Sequence, residues 1–129
     1  MMFRQSVTIY NRYKEGGKDR YHRTVLYSVF WDEIKGQTQR MSGAASTDKV
    51  QLIIPASNPA SKDYVAPERY CGIGWTLKLA DIAVLGIHNL EIAEGQTIKV
   101  LDGLRKAVIT AVDFKEFNSN LSHWEVTAR

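Results

Sequence analysis

A chain of 129 residues, 44% hydrophobic and 24% charged, has the balance of one globular domain, residues 1–129, with enough surface to bury for a core without covalent staples. Its formal charge of +3 is concentrated: residues 1–23 hold six Lys and Arg against Glu15 and Asp19, and the rest carries 11 cations and 12 anions. One cysteine excludes an intramolecular disulfide, no Cys/His group has zinc spacing, and no apolar run reaches the ~20 residues that span a bilayer.

The elements read as strands almost throughout. Val7, Ile9, Asn11 and Tyr13 alternate with Thr8, Tyr10 and Arg12, a period of two rich in β-branched and aromatic types. Gly16-Gly17 supplies the positive φ values of a tight hairpin. Tyr21–Ile34 predicts a long strand. Leu26 and Phe30 fall on the opposite face from Val25 and Val29, so either both faces are covered or a bulge intervenes. The polar stretch 36–43 reads as an exposed strand or extended loop, and Val50–Ile54 as a compact strand stopped by Pro55.

Residues 55–74 hold all three prolines and form the longest irregular segment, with one helical turn expected at Pro67–Tyr70. Trp75–Leu79 alternates and predicts a strand. A turn then leads into a strand ending at Gly86, with Ile82 and Val84 on one face. Glu91–Gly95 reads as turn or short helix, and Thr97–Leu101 as extended. Ala107–Val112 is the strongest apolar strand, 117–120 a turn, and His123–Thr127 the closing strand. Seven or eight short strands at spacings of roughly 8–12 residues predict a mainly β domain. The expectation is a small antiparallel β-barrel or sandwich with long loops and at most one or two short helical turns. Trp31, Trp75 and Trp124 are expected in its core.

Residues with reactive chemistry do not converge in the sequence. Cys71 matches no nucleophile signature, and His22, His88 and His123 lie in different elements without metal-ligand spacing. Gly72-Ile73-Gly74 lacks the third glycine of a phosphate cradle and reads as a bend. Asp32-Glu33, Glu91 and Glu94 read as surface charges. No enzyme, cofactor or metal is expected. The N-terminus lacks the apolar core of a signal peptide, so synthesis and retention in the cytoplasm are expected, with no membrane partner. One alternative is suggested by aromatics interleaved with cations on the first hairpin. Tyr10, Arg12, Lys14, Arg20 and Arg23 would serve an OB-like barrel that stacks bases and tracks phosphates.

Several stretches in order carry a family resemblance: Val7–Asn11, Arg23–Trp31, Val50–Pro55, Gly74–Lys78, Asp81–Gly86, Ile109–Asp113 and His123–Val126. Together they resemble small structural proteins from the head-to-tail region of tailed phages and prophages, of the head–tail joining, stopper or minor capsid kind. The resemblance implies a non-enzymatic virion part, made in the bacterial host cytoplasm. Such a part assembles as a ring between portal or adaptor and tail proteins, with non-specific contact to packaged DNA. It implies that the 55–74 loop gates the channel or docks a partner. Lys62 and Tyr64 in that loop and Arg40 in the 36–43 segment are the expected partner contacts.

Overall fold

The computed structural model describes residues 4–34, 37–40, 43–46, 49–117 and 121–129. Six antiparallel strands close into a barrel: β1 (Gln5–Glu15), β2 (Lys18–Ile34), β5 (Lys49–Pro55), β6 (Ile82–Leu85), β7 (Lys106–Lys115) and β8 (His123–Ala128). Their order around the barrel is β1-β2-β5-β8-β7-β6. Between β2 and β5, β3 (Gln37–Arg40) and β4 (Gly43–Ser46) pair only with each other. The mainly β barrel expected from the strand pattern is the fold.

The first hairpin forms as its sequence dictates. Glu15 pairs with Lys18 across Gly16 and Gly17, whose φ values of 60° and 81° are those of a two-residue turn matched to strand twist. Further along, β2 changes partners, meeting β1 over Lys18–Val29 and β5 over Phe30–Ile34. The bulge needed for that change lies where the apolar pattern breaks phase. Gln5 faces Val29 and Val7 faces Leu26, so two steps of β1 meet three of β2. Ser28 takes up the extra residue at φ 59°, and Leu26, Val29 and Trp31 all enter the core. A second register shift, between Ile109 and Ala111 of β7, turns that strand from β6 to β8.

Strand β1 is buried on both faces. Val7 and Ile9 point into the barrel among Leu52, Ile54, Ile109 and Val126. On the outside, Tyr10 packs with Ile82, Val84, Ile92 and Leu101, beneath the segment that follows β6. That segment contains a 3₁₀ turn at Ile98–Leu101, capped by the Thr97 hydroxyl, which accepts from Lys99 N at 3.3 Å. Thr97–Leu101 is therefore not the extended run that its pattern suggests. Tight turning is what brings Leu101 down onto Tyr10.

The prolines of the 55–74 segment open two further 3₁₀ turns, Pro59–Asp63 and Pro67–Arg69. Trp75–Leu79 is not a strand: Trp75 alone makes a bridge, a parallel one to Tyr64. Trp75, Thr76 and Leu77 are all buried in succession, which no half-exposed strand allows. The three tryptophans belong to the core as expected, each at most 8% exposed. Trp75 and Trp124 sit 5.6 Å apart with Tyr64 against both, at 5.1 and 4.7 Å. The turn expected at 117–120 falls mostly outside the described residues.

Candidate docking site at an open strand edge

Hydrogen-bond parity shows which backbone groups of the barrel have no neighbour. Gly86 N donates to Ser6 O at 2.8 Å, so the even residues of β1 face β6 and the odd ones face β2. Their partners His22, Thr24 and Leu26 spend their backbone groups on β1. The intervening Tyr21, Arg23 and Val25 aim N–H and C=O the other way, where no strand lies among the described residues. Tyr27, next in the series, has its carbonyl capped by Asn58 Nδ2 at 2.5 Å. The open edge thus runs from Tyr21 to Val25 and ends at a side-chain stop.

This edge forms one wall of a groove of about 700 Å³, lined by His22–Val25 on one side and by Lys62, Val65 and Ile73 on the other. The Thr24 hydroxyl is buried in that region with no hydrogen-bond partner among the described residues. The second wall is fixed in place. Trp75 N donates to Asp63 O at 3.1 Å, Val65 N to Trp75 O at 2.8 Å, and the indole Nε1 to Ala60 O at 2.7 Å. Gly74 makes the approach possible: its φ is 77°, and a Cβ there would lie 2.2 Å from the Asp63 carbonyl oxygen. The Gly72–Gly74 bend therefore shapes the groove.

Lys62 is exposed on the groove wall. Tyr64 does not project: its ring is packed between Trp75 and Trp124, and burial raises its phenol pKa. The 55–74 segment is folded onto the barrel, not extended as a free arm. Arg40 ends β3 opposite Gly43, and its side chain lies outside the described residues.

The groups expected on the nucleic-acid hairpin are largely engaged. Tyr10 is fully buried and donates its hydroxyl to Leu90 O at 2.6 Å, so it offers no ring face for stacking. Lys14 pairs with Asp19 at 2.8 Å, holding that carboxyl below its usual pKa. Arg20 reaches Glu94 at 3.2 Å, and Arg23 reaches Glu91 at 3.4 Å and His88 O at 3.0 Å. Arg12 stays exposed with no ion pair among the described residues. Two carboxylates distant in sequence, Glu91 and Glu94, thus offset much of the local basic excess.

Sequence reasoning passed over a buried polar cluster near the groove. Asn11 sends Nδ2 to Thr76 O and to Asp81 Oδ2, both at 2.8 Å, and accepts from Thr76 N at 3.1 Å. Its side chain acts as a short neighbouring strand for Thr76. Asp81 also accepts from Arg12 N at 3.2 Å, yet burial dominates and raises its pKa. A raised folded-state pKa favours the protonated folded form. Asp81 therefore adds stability that is fully present below its unfolded pKa and fades as pH rises through the folded value. Urea midpoints should show that Asp81→Asn costs more at pH 4 than at pH 7. An equal cost at both values contradicts the assignment.

The remaining candidates are dispersed. Cys71 is exposed, His88 Nε2 lies 2.8 Å from Leu85 O, and His123 sits between Leu121 O at 2.7 Å and Glu125 at 3.0 Å. Glu33 receives Arg105 at the opposite end of β2. Among the described residues no three His, Cys, Asp or Glu side chains are placed to hold a metal ion, and no helix is long and apolar enough to cross a membrane. What the geometry brings together is backbone: three residues of unpaired edge facing a shaped wall. No curated protein and no solved structure matches the chain. A family model, described as a family of unknown function, DUF6751, matches residues 2–129, and the chain belongs to that family.

Proposed function

We propose that the protein is a non-catalytic assembly subunit whose barrel accepts an extended segment from a neighbour along the β2 edge. The resemblance to head-to-tail proteins of tailed phages and prophages supplies the setting, a neck or stopper-like ring between portal or adaptor and tail. The observation that carries the reading is the unpaired run Tyr21–Val25 facing the groove. An added strand there gains main-chain hydrogen bonds from the edge and side-chain contacts from Val65 and Ile73. Native proteins usually cover or blunt such an edge unless it pairs.

The β3–β4 hairpin suits the same role, because it pairs with no barrel strand. Channel contact with packaged DNA belongs to this reading as a non-specific, salt-sensitive property. Dedicated nucleic-acid binding is less well supported, since Tyr10 is buried and Arg20 and Arg23 are paired.

Electron microscopy and native mass spectrometry of the purified chain, concentrated or mixed with a portal-side adaptor, test the proposal. Closed rings are the expected result. A chain that remains monomeric under both conditions overturns it.

A further inference from the structure

We infer that the segment seated on the β2 edge is the β7 edge of a second copy, so that subunits join head to tail. This rests on the assembly reading above and adds to it the identity of both faces. The same parity argument reveals the second edge. Val108 and Arg129 exchange hydrogen bonds of 2.7 and 2.9 Å, and Ala56 N donates to Ser122 O at 2.9 Å. Odd residues of β8 therefore face β7, and even ones face β5. Beyond the shift at Ile109–Ala111, the partners of odd β8 residues are Ala111, Asp113 and Lys115. Val112 and Phe114 are left with backbone groups aimed away from β8, and no strand of the barrel lies there.

Three features match this edge to the first. The β2 edge offers three outward-facing residues, Tyr21, Arg23 and Val25, and the β7 edge two, Val112 and Phe114, so two successive rungs can pair. The β7 edge, like the β2 edge, borders a groove, here about 650 Å³ in volume and running between Val112 and Leu79. Large apolar side chains stand exposed beside both: Ile73 at 77% by the β2 edge, Leu79 at 62% and Phe114 at 44% by the β7 edge.

Placement then decides the symmetry. In the closed order β1-β2-β5-β8-β7-β6, β2 and β7 are three strands apart, on opposite sides of the barrel. Pairing β2 with β2 would make a dimer and leave both β7 edges open. Pairing β2 with β7 uses both of these edges and propagates in one direction, the heterologous contact that gives a ring when its rotation closes.

Proline substitutions on the outward-facing N–H groups block each edge without removing a ladder bond. Val25→Pro and Phe114→Pro should each be monomeric by size exclusion with light scattering where the parent chain assembles. Mixed, they should form a 1:1 heterodimer that grows no further, because each retains the edge the other lacks. Assembly of Phe114→Pro to the parent extent, or a parent that assembles while the mixture does not pair, overturns the inference and leaves the assembly reading standing. A parent that stays monomeric alone and with an adaptor overturns both. Should either variant fail to fold, hydrogen exchange on the unmodified chain decides. The amides of Tyr21, Arg23, Val25, Val112 and Phe114 should gain about tenfold protection on assembly. Assembly without that gain overturns the pairing.

Discussion

Replacing Trp75 by alanine is expected to cost about 3–5 kcal/mol of folding stability, the usual range for truncating a buried large aromatic. Trp75 is fully buried and stands against Tyr64 and Trp124 while its Nε1 bonds to Ala60 O. The substitution removes both ring contacts and leaves the Ala60 carbonyl without its donor. It also frees the wall of the β2 groove, because the bonds of Asp63 and Val65 to the Trp75 backbone lose the anchor that holds them. Trp75→Phe keeps an aromatic ring and loses the indole donor, so about 1–3 kcal/mol is expected. Urea unfolding gives both numbers, and limited proteolysis within 59–73 reports the wall. A cost below 1 kcal/mol for the alanine variant is incompatible with the packing described.

Asn11→Leu should be nearly as severe, at about 3–5 kcal/mol, for a different reason. The leucine fills similar space but leaves Thr76 N–H, Thr76 C=O and Asp81 Oδ2 without the partner that Asn11 supplied. Each such buried group costs about 1–3 kcal/mol, with partial relaxation lowering the sum. Asn11→Asp separates charge from packing. It sets a second carboxylate against the buried Asp81, so it should be poorly tolerated at pH 7 and regain stability on acidification as the pair takes up a proton. Thermal unfolding at pH 7 and pH 4.5 measures this. An Asn11→Asp loss that does not shrink at the lower pH contradicts the Asn11–Asp81 contact.

Most of the barrel was legible because its strands obey a period of two and its first turn is written in glycine. Even the phase break around Leu26–Val29 pointed to the bulge that the structure places at Ser28. Trp75–Leu79 was misleading for a physical reason. Alternation signals a strand only when one face is wet, whereas Trp75–Leu77 is buried residue after residue and bonded by a side chain, that of Asn11. Thr97–Leu101 misled because β-branched residues also suit a short 3₁₀ turn once a capping threonine precedes them.

The open edge was beyond sequence reasoning, because which backbone groups lack a neighbouring strand depends on closure of the barrel and on two register shifts. Tyr10 shows the same limit. As one of the hairpin aromatics it resembled a stacking ring, and its burial depends on Ile92 and Leu101, some 80 to 90 positions further along. Tyr64 was chosen for exposure because loops with prolines usually lie at the surface. The tryptophans it packs against are close only after folding.

The manner in which the β3–β4 hairpin leaves the barrel bears on how such a chain can diversify. Ile34 and Lys49 face each other as the last rung of the β2–β5 ladder, so the insertion departs and returns at one point. Its length and composition can therefore drift between relatives without disturbing a single rung below.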